Sequence, residues 1–354
     1  MSLSVGIVGL PNVGKSTLFQ ALTKKKVDIA NYPFCTIDPN VGIVKVPDER
    51  LTKLAEFFHS AKVIPTIVEF VDIAGLVRGA NKGEGLGNQF LSHIKEVDAI
   101  VQVVRCFENA DIIHVENQVD PVRDIETVNT ELILKDLETL SKRIENLEKE
   151  IKAQRKGAQE EQQTLRDLQK EMDSGVLALQ FAREHPEAEE FIKPLFLLSV
   201  KPTMYLLNSS SKQAALPAIE KIKTIGSSYI ILDVKEEFDL AGLSSEEIKE
   251  LGMNQPKLPA LVEKAYDTLD LITFFTTGPD ETRAWTVTRG AKAPRAGGVI
   301  HSDFEKNFIR AAVIRWDTLL EAGGIPEAMA KGLIRTEGKE YVVKDGDVIE
   351  IKHS

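Results

Sequence analysis

The run Gly9-Leu10-Pro11-Asn12-Val13-Gly14-Lys15-Ser16, continued by Thr17, sets a lysine and a hydroxyl directly after the second of two spaced glycines. That spacing suits a polyphosphate. Glycines let successive backbone N–H groups turn inward as a cradle, the lysine reaches the β- and γ-phosphates, and the hydroxyl ligates Mg²⁺. Leu3 to Val8, ahead of the run, alternates weakly and is rich in Val and Ile, as a short buried strand would be. Thr17 to Leu22, behind it, reads as the first turns of a helix. Strand, glycine loop and helix together bring phosphates to a helix N-terminus, where the backbone dipoles favour negative charge. The sequence therefore predicts a P-loop that binds a nucleoside triphosphate.

A second constellation is Ile67-Val68-Glu69-Phe70-Val71-Asp72-Ile73-Ala74-Gly75, an apolar strand ending in D-x-x-G. Asp72 is expected to hold the Mg²⁺, directly or through water, and the Gly75 N–H to sense a γ-phosphate. Between the motifs, the turn-rich Asn31 to Thr36 offers Thr36 as a second hydroxyl for the metal, as in loops that order around a triphosphate. The glycine-rich Gly79 to Gly87 suits a second switch loop.

The base and the attacking water need their own groups. Guanine is usually read by N-K-x-D, whose Asp accepts hydrogen bonds from the ring N1–H and the exocyclic amine. Here the corresponding place reads Asn208-Ser209-Ser210-Ser211, with no carboxylate at the fourth position. A hydroxyl cannot replace a bidentate carboxylate, so adenine is permitted and strong guanine selection is not expected. Residue 76 is Leu, where a Gln would position water in Ras-like switches. Three substitutes present themselves: Asn12 holding a monovalent cation such as K⁺ near the β/γ bridge, His114 orienting water, or a group supplied by a partner.

Elements that would position these groups follow at regular intervals. Ala99 to Val104, Pro202 to Asn208 and Tyr229 to Leu232 read as further buried strands of one α/β nucleotide domain closing near residue 270. Ile133, Leu137, Leu140, Ile144, Leu147 and Ile151 form a heptad seam, broken at Gln154 to Glu161 and resumed by Leu165, Leu168 and Met172. Two antiparallel helices inserted as a coiled-coil arm over 122–195 are expected. From 271 to 353 a small mixed β domain is expected. Its strands are Thr286 to Thr288, Tyr341 to Val343 and Val348 to Ile351, arranged around a helical stretch Asp303 to Arg315, with loops at Gly278-Pro279 and Ala291 to Gly298.

Composition bounds the rest. With 354 residues, 43% hydrophobic and 28% charged, the chain suits two or three globular domains. Its two cysteines, Cys35 and Cys106, have no metal or disulfide spacing. The N-terminal apolar run leads straight into the P-loop, and no stretch is long enough to span a bilayer, so a cytoplasmic protein without a membrane partner is expected. Net charge is −10, which disfavours bulk attraction to nucleic acid and gives no support to sequence-specific DNA binding. Leu271 to Ser354 is nonetheless balanced, with 12 basic and 12 acidic residues, and Arg283 to Arg310 holds six basic against two acidic. A locally basic face, or simply a solvated surface, is compatible with that.

The combination resembles the Obg-like ATPases, the YchF group of P-loop proteins. The motifs that carry the resemblance run from end to end: Gly9 to Thr17, Tyr32-Pro33-Phe34-Cys35-Thr36, Asp72 to Leu76, Gly79 to Gly87, Arg105 to Asn109, Lys201 to Tyr205, Arg283-Ala284-Trp285-Thr286, His301 to Lys306 and Lys344-Asp345-Gly346-Asp347. The resemblance implies a Ras-like α/β domain with an inserted helical arm and a C-terminal TGS domain of β-grasp fold. It implies ATP hydrolysis in preference to GTP, with Mg²⁺ on Ser16 and Thr36. Phosphates would lie on Asn12, Val13, Gly14, Lys15, Ser16 and Thr17, and adenine against the Ser209 backbone. Leu76 takes the place of the glutamine, and His114 that of the histidine proposed for catalysis. A ribosomal partner is implied too, a target for the arm and the basic stretch. This chain departs from the family's N-x-x-E at Ser211, and Leu232-Asp233-Val234 lacks the Ser-Ala pair common beside the base. Two rivals stay open: a translational GTPase with relaxed base reading, and a nucleotide-gated binding module whose hydrolysis is incidental.

Overall fold

Parallel strands covered on both faces read as largely apolar runs, and the first 270 residues supply five of them. The computed structural model describes residues 3–24, 38–73, 85–109 and 118–353. β1 (Ser4–Val8) leads through the glycine loop into α1 (Lys15–Thr23), followed by β2 (Val41–Lys45), α2 (Glu49–Phe57), β3 (Lys62–Ile64), β4 (Ile67–Asp72), α3 (Gly85–Glu96) and β5 (Ala99–Arg105). Helices α4 (Pro121–Lys152), α5 (Ala158–Asp173), α6 (Ala178–Glu184) and α7 (Glu189–Ile192) intervene before β6 (Thr203–Asn208). Then come α8 (Lys212–Ile225), β7 (Ser228–Leu232), α9 (Val234–Leu240), α10 (Ser245–Glu250) and α11 (Leu258–Thr268). The sheet order is β2-β4-β1-β5-β6-β7, parallel except for β2. Every residue of β5 is buried, Gln102 and Arg105 included. Because the chain builds to one side of β1 and then to the other, a crevice opens beyond its C-terminal end, where the glycine loop lies.

α4 is one continuous helix with two environments. Asp120 caps it by accepting the Arg123 N–H, and Pro121 starts it. Its first turns lay Val128 and Leu132 against the first sheet's core. The heptad seam carries the rest: Leu140 and Leu147 are fully buried and Leu137 and Ile151 half-buried, against Leu165, Leu168 and Met172 of α5. The helices turn back at Gly157, which takes a left-handed conformation. Arg143 and Arg155 each bridge Glu150 and Glu161 across that turn. At the base, Asp136 is 1% exposed and accepts three hydrogen bonds of 2.7 Å, from the Leu198 N–H, the Ser199 N–H and the Ser199 hydroxyl. Among the described residues no helix is long and apolar enough to cross a membrane.

The second sheet is built from β8 (Leu271–Thr276), β9 (Glu281–Thr288), then, after α12 (Ala293–Ile300) and α13 (Ser302–Lys306), β10 (Phe308–Arg315). α14 (Trp316–Ala322), α15 (Ile325–Ala330), β11 (Arg335–Glu337) and β12 (Asp347–His353) complete it. The order is β11-β10-β12-β8-β9-β3, so β3 from the N-terminal half forms one edge. α12 covers one face, over Ile272, Phe274, Val287 and Ala311. α2 and α14 cover the other, over Phe275, Ala284, Ile314 and Val348.

Three local expectations are corrected here. The helix expected over Asp303 to Arg315 is a short helical turn and then strand β10, in which Ala311 and Val313 face inward at a period of two. Pairing on both sides, with β11 and β12, overrides the helical propensity of its alanines. The loop expected at Ala291 to Gly298 is mostly α12, whose small residues allow close packing: a Cβ on Gly297 would lie 3.2 Å from the Phe304 carbonyl oxygen. Tyr341 to Val343 forms a single bridge, Val342 with Lys292, and no strand.

Asp136 yields a stability prediction. Asp136→Ala strands three buried donors and should cost roughly 3 kcal/mol of unfolding free energy in urea titration. Asp136→Asn should recover little of it, because its amide must meet an N–H.

Candidate nucleotide-binding site

The glycine loop lies closer to its surroundings than any side chain would allow. Gly9 has φ +148°, and a Cβ there would stand 2.5 Å from the Val103 carbonyl oxygen of β5. Gly14 has φ +107°, and its Cβ would stand 2.7 Å from Asn208 Nδ2. Asn12 also takes a left-handed φ of 61°, which asparagine tolerates better than most residues. Helix α1 then starts at Lys15, with the Leu18 N–H bonded to the Gly14 carbonyl at 2.9 Å. No acidic residue occupies its first turn, so its N-terminal dipole is left for an anion.

Lys15 is 8% exposed, and its Nζ donates to the Leu10 carbonyl at 2.8 Å, which folds the side chain back over the loop. Burial lowers its pKa to about 8, against the opposing pull of Asp72. Asp72 ends β4 beside β1, in register with Ile7. Burial raises its pKa, while the Lys15 charge and a hydrogen bond from the Ser16 hydroxyl hold it down. The structure thus brings Lys15, Ser16 and Asp72 together. A hydroxyl and a carboxylate are hard oxygen donors of the kind Mg²⁺ takes.

Asn208 is the cross-brace. Its Nδ2 donates to the Val13 carbonyl at 2.9 Å, and its Oδ1 accepts the Val234 N–H at 3.1 Å. One side chain therefore fixes the glycine loop against the start of α9. Next to it, the Ser209 N–H is committed to the Leu232 carbonyl at 3.0 Å. The Ser209 hydroxyl lies 3.2 Å from the Cys106 carbonyl and accepts the Ser211 N–H at 3.1 Å. Ser211 is the N-cap of α8 but makes no side-chain capping bond. Asp233 caps α9, accepting the Lys235 and Glu236 N–H groups. The spacing of Asn208 pointed to this region, but its partner Val234 carries no sequence signal, since a backbone N–H does the work.

The chain is 48% identical to the ribosome-binding ATPase YchF of Bacillus subtilis (strain 168), with 99% of each chain covered. It is 47% identical to the protein of that name from Escherichia coli O157:H7, over 99% of this chain and 98% of the other. The chain belongs to the YchF family. A solved YchF structure, that of the Schizosaccharomyces pombe YchF GTPase, superposes with a TM-score of 0.86 at 39% identity, covering 99% of this chain and 98% of that one. Residues 271–354 match the YchF-GTPase C-terminal model, described as a protein of unknown function, and residues 4–142 match the 50S ribosome-binding GTPase model. The P-loop NTPases to which YchF proteins belong generally use Mg²⁺.

Of the expected site residues, Gly9, Asn12, Val13, Gly14, Lys15, Ser16, Thr17, Asp72, Asn208 and Ser209 lie among those described, at the C-terminal ends of the central strands and the start of α1. Thr36, Gly75 and His114 lie outside the described residues, as do Leu76 and most of Gly79 to Gly87. The basic stretch is partly neutralised: Arg289 meets Asp270 at 3.0 Å, Lys292 meets Glu340 at 2.5 Å and Arg295 meets Glu305 at 3.4 Å.

The lowered Lys15 pKa makes affinity depend on pH. The amine must be charged to meet phosphate, and it loses its proton as pH rises through about 8. Triphosphate affinity should therefore fall roughly tenfold between pH 7 and pH 9, by calorimetric titration, with Lys15→Ala weak and flat across the range. A second expectation concerns the cross-brace. Asn208→Ala should weaken nucleotide binding by one to two orders of magnitude, since both loops lose a common partner.

Proposed function

We propose that this protein is a Mg²⁺-dependent ATPase, hydrolysing ATP with water to ADP and phosphate as a slow nucleotide switch that works on the ribosome. The observation that carries the choice of ATP is the state of the base-reading loops. Guanine needs a carboxylate for its N1–H and amine and a donor for its O6. Ser211 supplies no carboxylate, the Ser209 N–H is committed to Leu232, and the Val234 N–H to Asn208. What remains are acceptors such as the Ser209 carbonyl, which suit the adenine amine. The ribosome as partner is supported by the names of the relatives.

In this reading Gly9, Asn12, Val13, Gly14, Lys15, Ser16 and Thr17 cradle the phosphates, and the Gly75 N–H senses the γ-phosphate. Ser16, Thr36 and Asp72 would hold a Mg²⁺ ion, which would supply charge neutralisation for the phosphates. Asn12 would help hold a K⁺ ion beside them. Leu76 offers water no hydrogen bond, so orienting the nucleophile falls to His114, and intrinsic turnover is slow. The division is into a Ras-like domain to residue 270, interrupted by the 122–195 arm and lending α2 and β3 to the C-terminal sheet, and a TGS domain of β-grasp type over 271–353. The protein acts in the cytoplasm.

The matched model's description as a GTPase, and that of the S. pombe structure, favour guanine as the second reading. Isothermal titration with ATPγS and GTPγS in Mg²⁺ separates the two. ATPγS should bind at least tenfold tighter, and a GTPγS preference would overturn the assignment. His114→Ala should lower kcat by 10²-fold or more while leaving the ATPγS affinity unchanged.

A further inference from the structure

The chain between β2 and β4 leaves the first sheet, joins the second and returns. β2 and β4 pair from Val41–Val71 to Lys45–Ile67, and the Val46 N–H closes the stem on the Thr66 carbonyl at 2.9 Å. Beyond that stem the excursion belongs to the C-terminal sheet. α2 sets Leu51 and Leu54, 4% and 0% exposed, among Phe275, Ile314 and Val348. The Ser60 hydroxyl donates to the Gly278 carbonyl at 2.7 Å, and the Ala61 N–H to the Pro279 carbonyl at 2.8 Å. Lys62 to Ile64 then run parallel to Glu281 to Arg283 as an edge strand.

Arg50 locks the two parts together. It bonds Asp48, which caps its own helix, and at the same time Asp345, whose Oδ1 also accepts the Thr273 N–H at 2.9 Å. The guanidinium lies 5.3 Å from the Phe275 ring centroid, and the two carboxylates raise its pKa in spite of burial. A second attachment lies at the end of α11, where the Tyr266 hydroxyl reaches the Ile272 carbonyl at 3.1 Å and the Thr273 hydroxyl at 2.9 Å. Two separated attachments forbid the free swivel that a single linker would permit.

The other end of the excursion's stem is the metal-binding corner. β4 ends in Asp72, and the Asp72 N–H bonds the Asn40 carbonyl just ahead of β2 at 2.9 Å. We infer that α2 and β3 act as a strap making the β2–β4 pair and the C-terminal sheet one mechanical unit. Nucleotide at Lys15 and Asp72 then alters the packing of the C-terminal sheet, and the packing of that sheet alters nucleotide affinity. The inference rests on the nucleotide-binding reading above and adds its regulation. Sliding β4 along β1 would drag β3 along β9, or open the interface under α2 and expose Leu51, Leu54 and Phe275. Such an interface is either packed or broken, so it transmits a shift rather than absorbing it. By linkage the coupling is reciprocal.

Full-length protein tests this with two variants, Arg50→Ala and Asp345→Asn, and hydrogen exchange as the main reading. Without nucleotide, releasing the lock should speed amide exchange in residues 67–72 as well as in 48–64. Exchange changes confined to 48–64 would overturn the strap. With Mg²⁺ and ATPγS on the wild type, protection should rise over 281–288 as well as over 9–17, and protection limited to 9–17 would also overturn it. Both variants should weaken ATPγS binding about fivefold, the low end of typical coupling. Should the wild type fail to bind ATPγS at all, the nucleotide reading falls, while the exchange comparison without nucleotide still decides the strap. Arg50→Lys, which keeps the charge and the stem's packing, covers the case in which Arg50→Ala does not fold.

Discussion

How closely the glycine loop can lie against the sheet governs everything at this site. Only hydrogens at Gly9 and Gly14 let the loop pass within reach of the Val103 carbonyl and the Asn208 amide. That proximity lets a single asparagine side chain bind the Val13 carbonyl and the Val234 N–H at once. It also folds Lys15 back into a buried position and turns the free end of α1 outward. A methyl group at either glycine would separate loop from sheet, and the cross-brace, the lysine and the helix dipole would no longer converge.

Around that contact the electrostatics are opposed rather than relaxed. Burial favours the neutral forms of both Lys15 and Asp72, while each one's charge favours the charged form of the other. A bound triphosphate and divalent ion would replace this uneasy pair with fuller partners: phosphate for the amine, metal for the carboxylate.

The C-terminal sheet cannot be treated as an appendage. One of its faces is covered by α12 from its own sequence, the other in part by α2 from the segment between β2 and β4. Removing either half of the chain would strip a packed apolar face. The arm differs in this respect: beyond Ile133 its seam is satisfied largely by its own two helices, with Asp136 anchoring it to the 198–199 turn.

Much of this was legible in the residues themselves, because the features concerned are local. A P-loop needs glycines at fixed spacing, a buried parallel strand needs a largely apolar run, and a helical hairpin needs a seam repeating every three and four residues. The motif at Gly9 to Thr17, the strand ending in Asp72 and the seam from Ile133 to Ile151 all declare themselves within about twenty residues or fewer. The tertiary structure decided what depends on partners distant in the chain. Phe308 to Arg315 became a strand because β11 and β12 lie on either side of it, and α2 turned away from its own sheet because Phe275 and Val348 offered it an apolar bed. Arg50 found Asp345 across 295 positions, a pairing no local pattern encodes. Sequence fixes what a segment can do alone; packing chooses among segments that could do more than one thing.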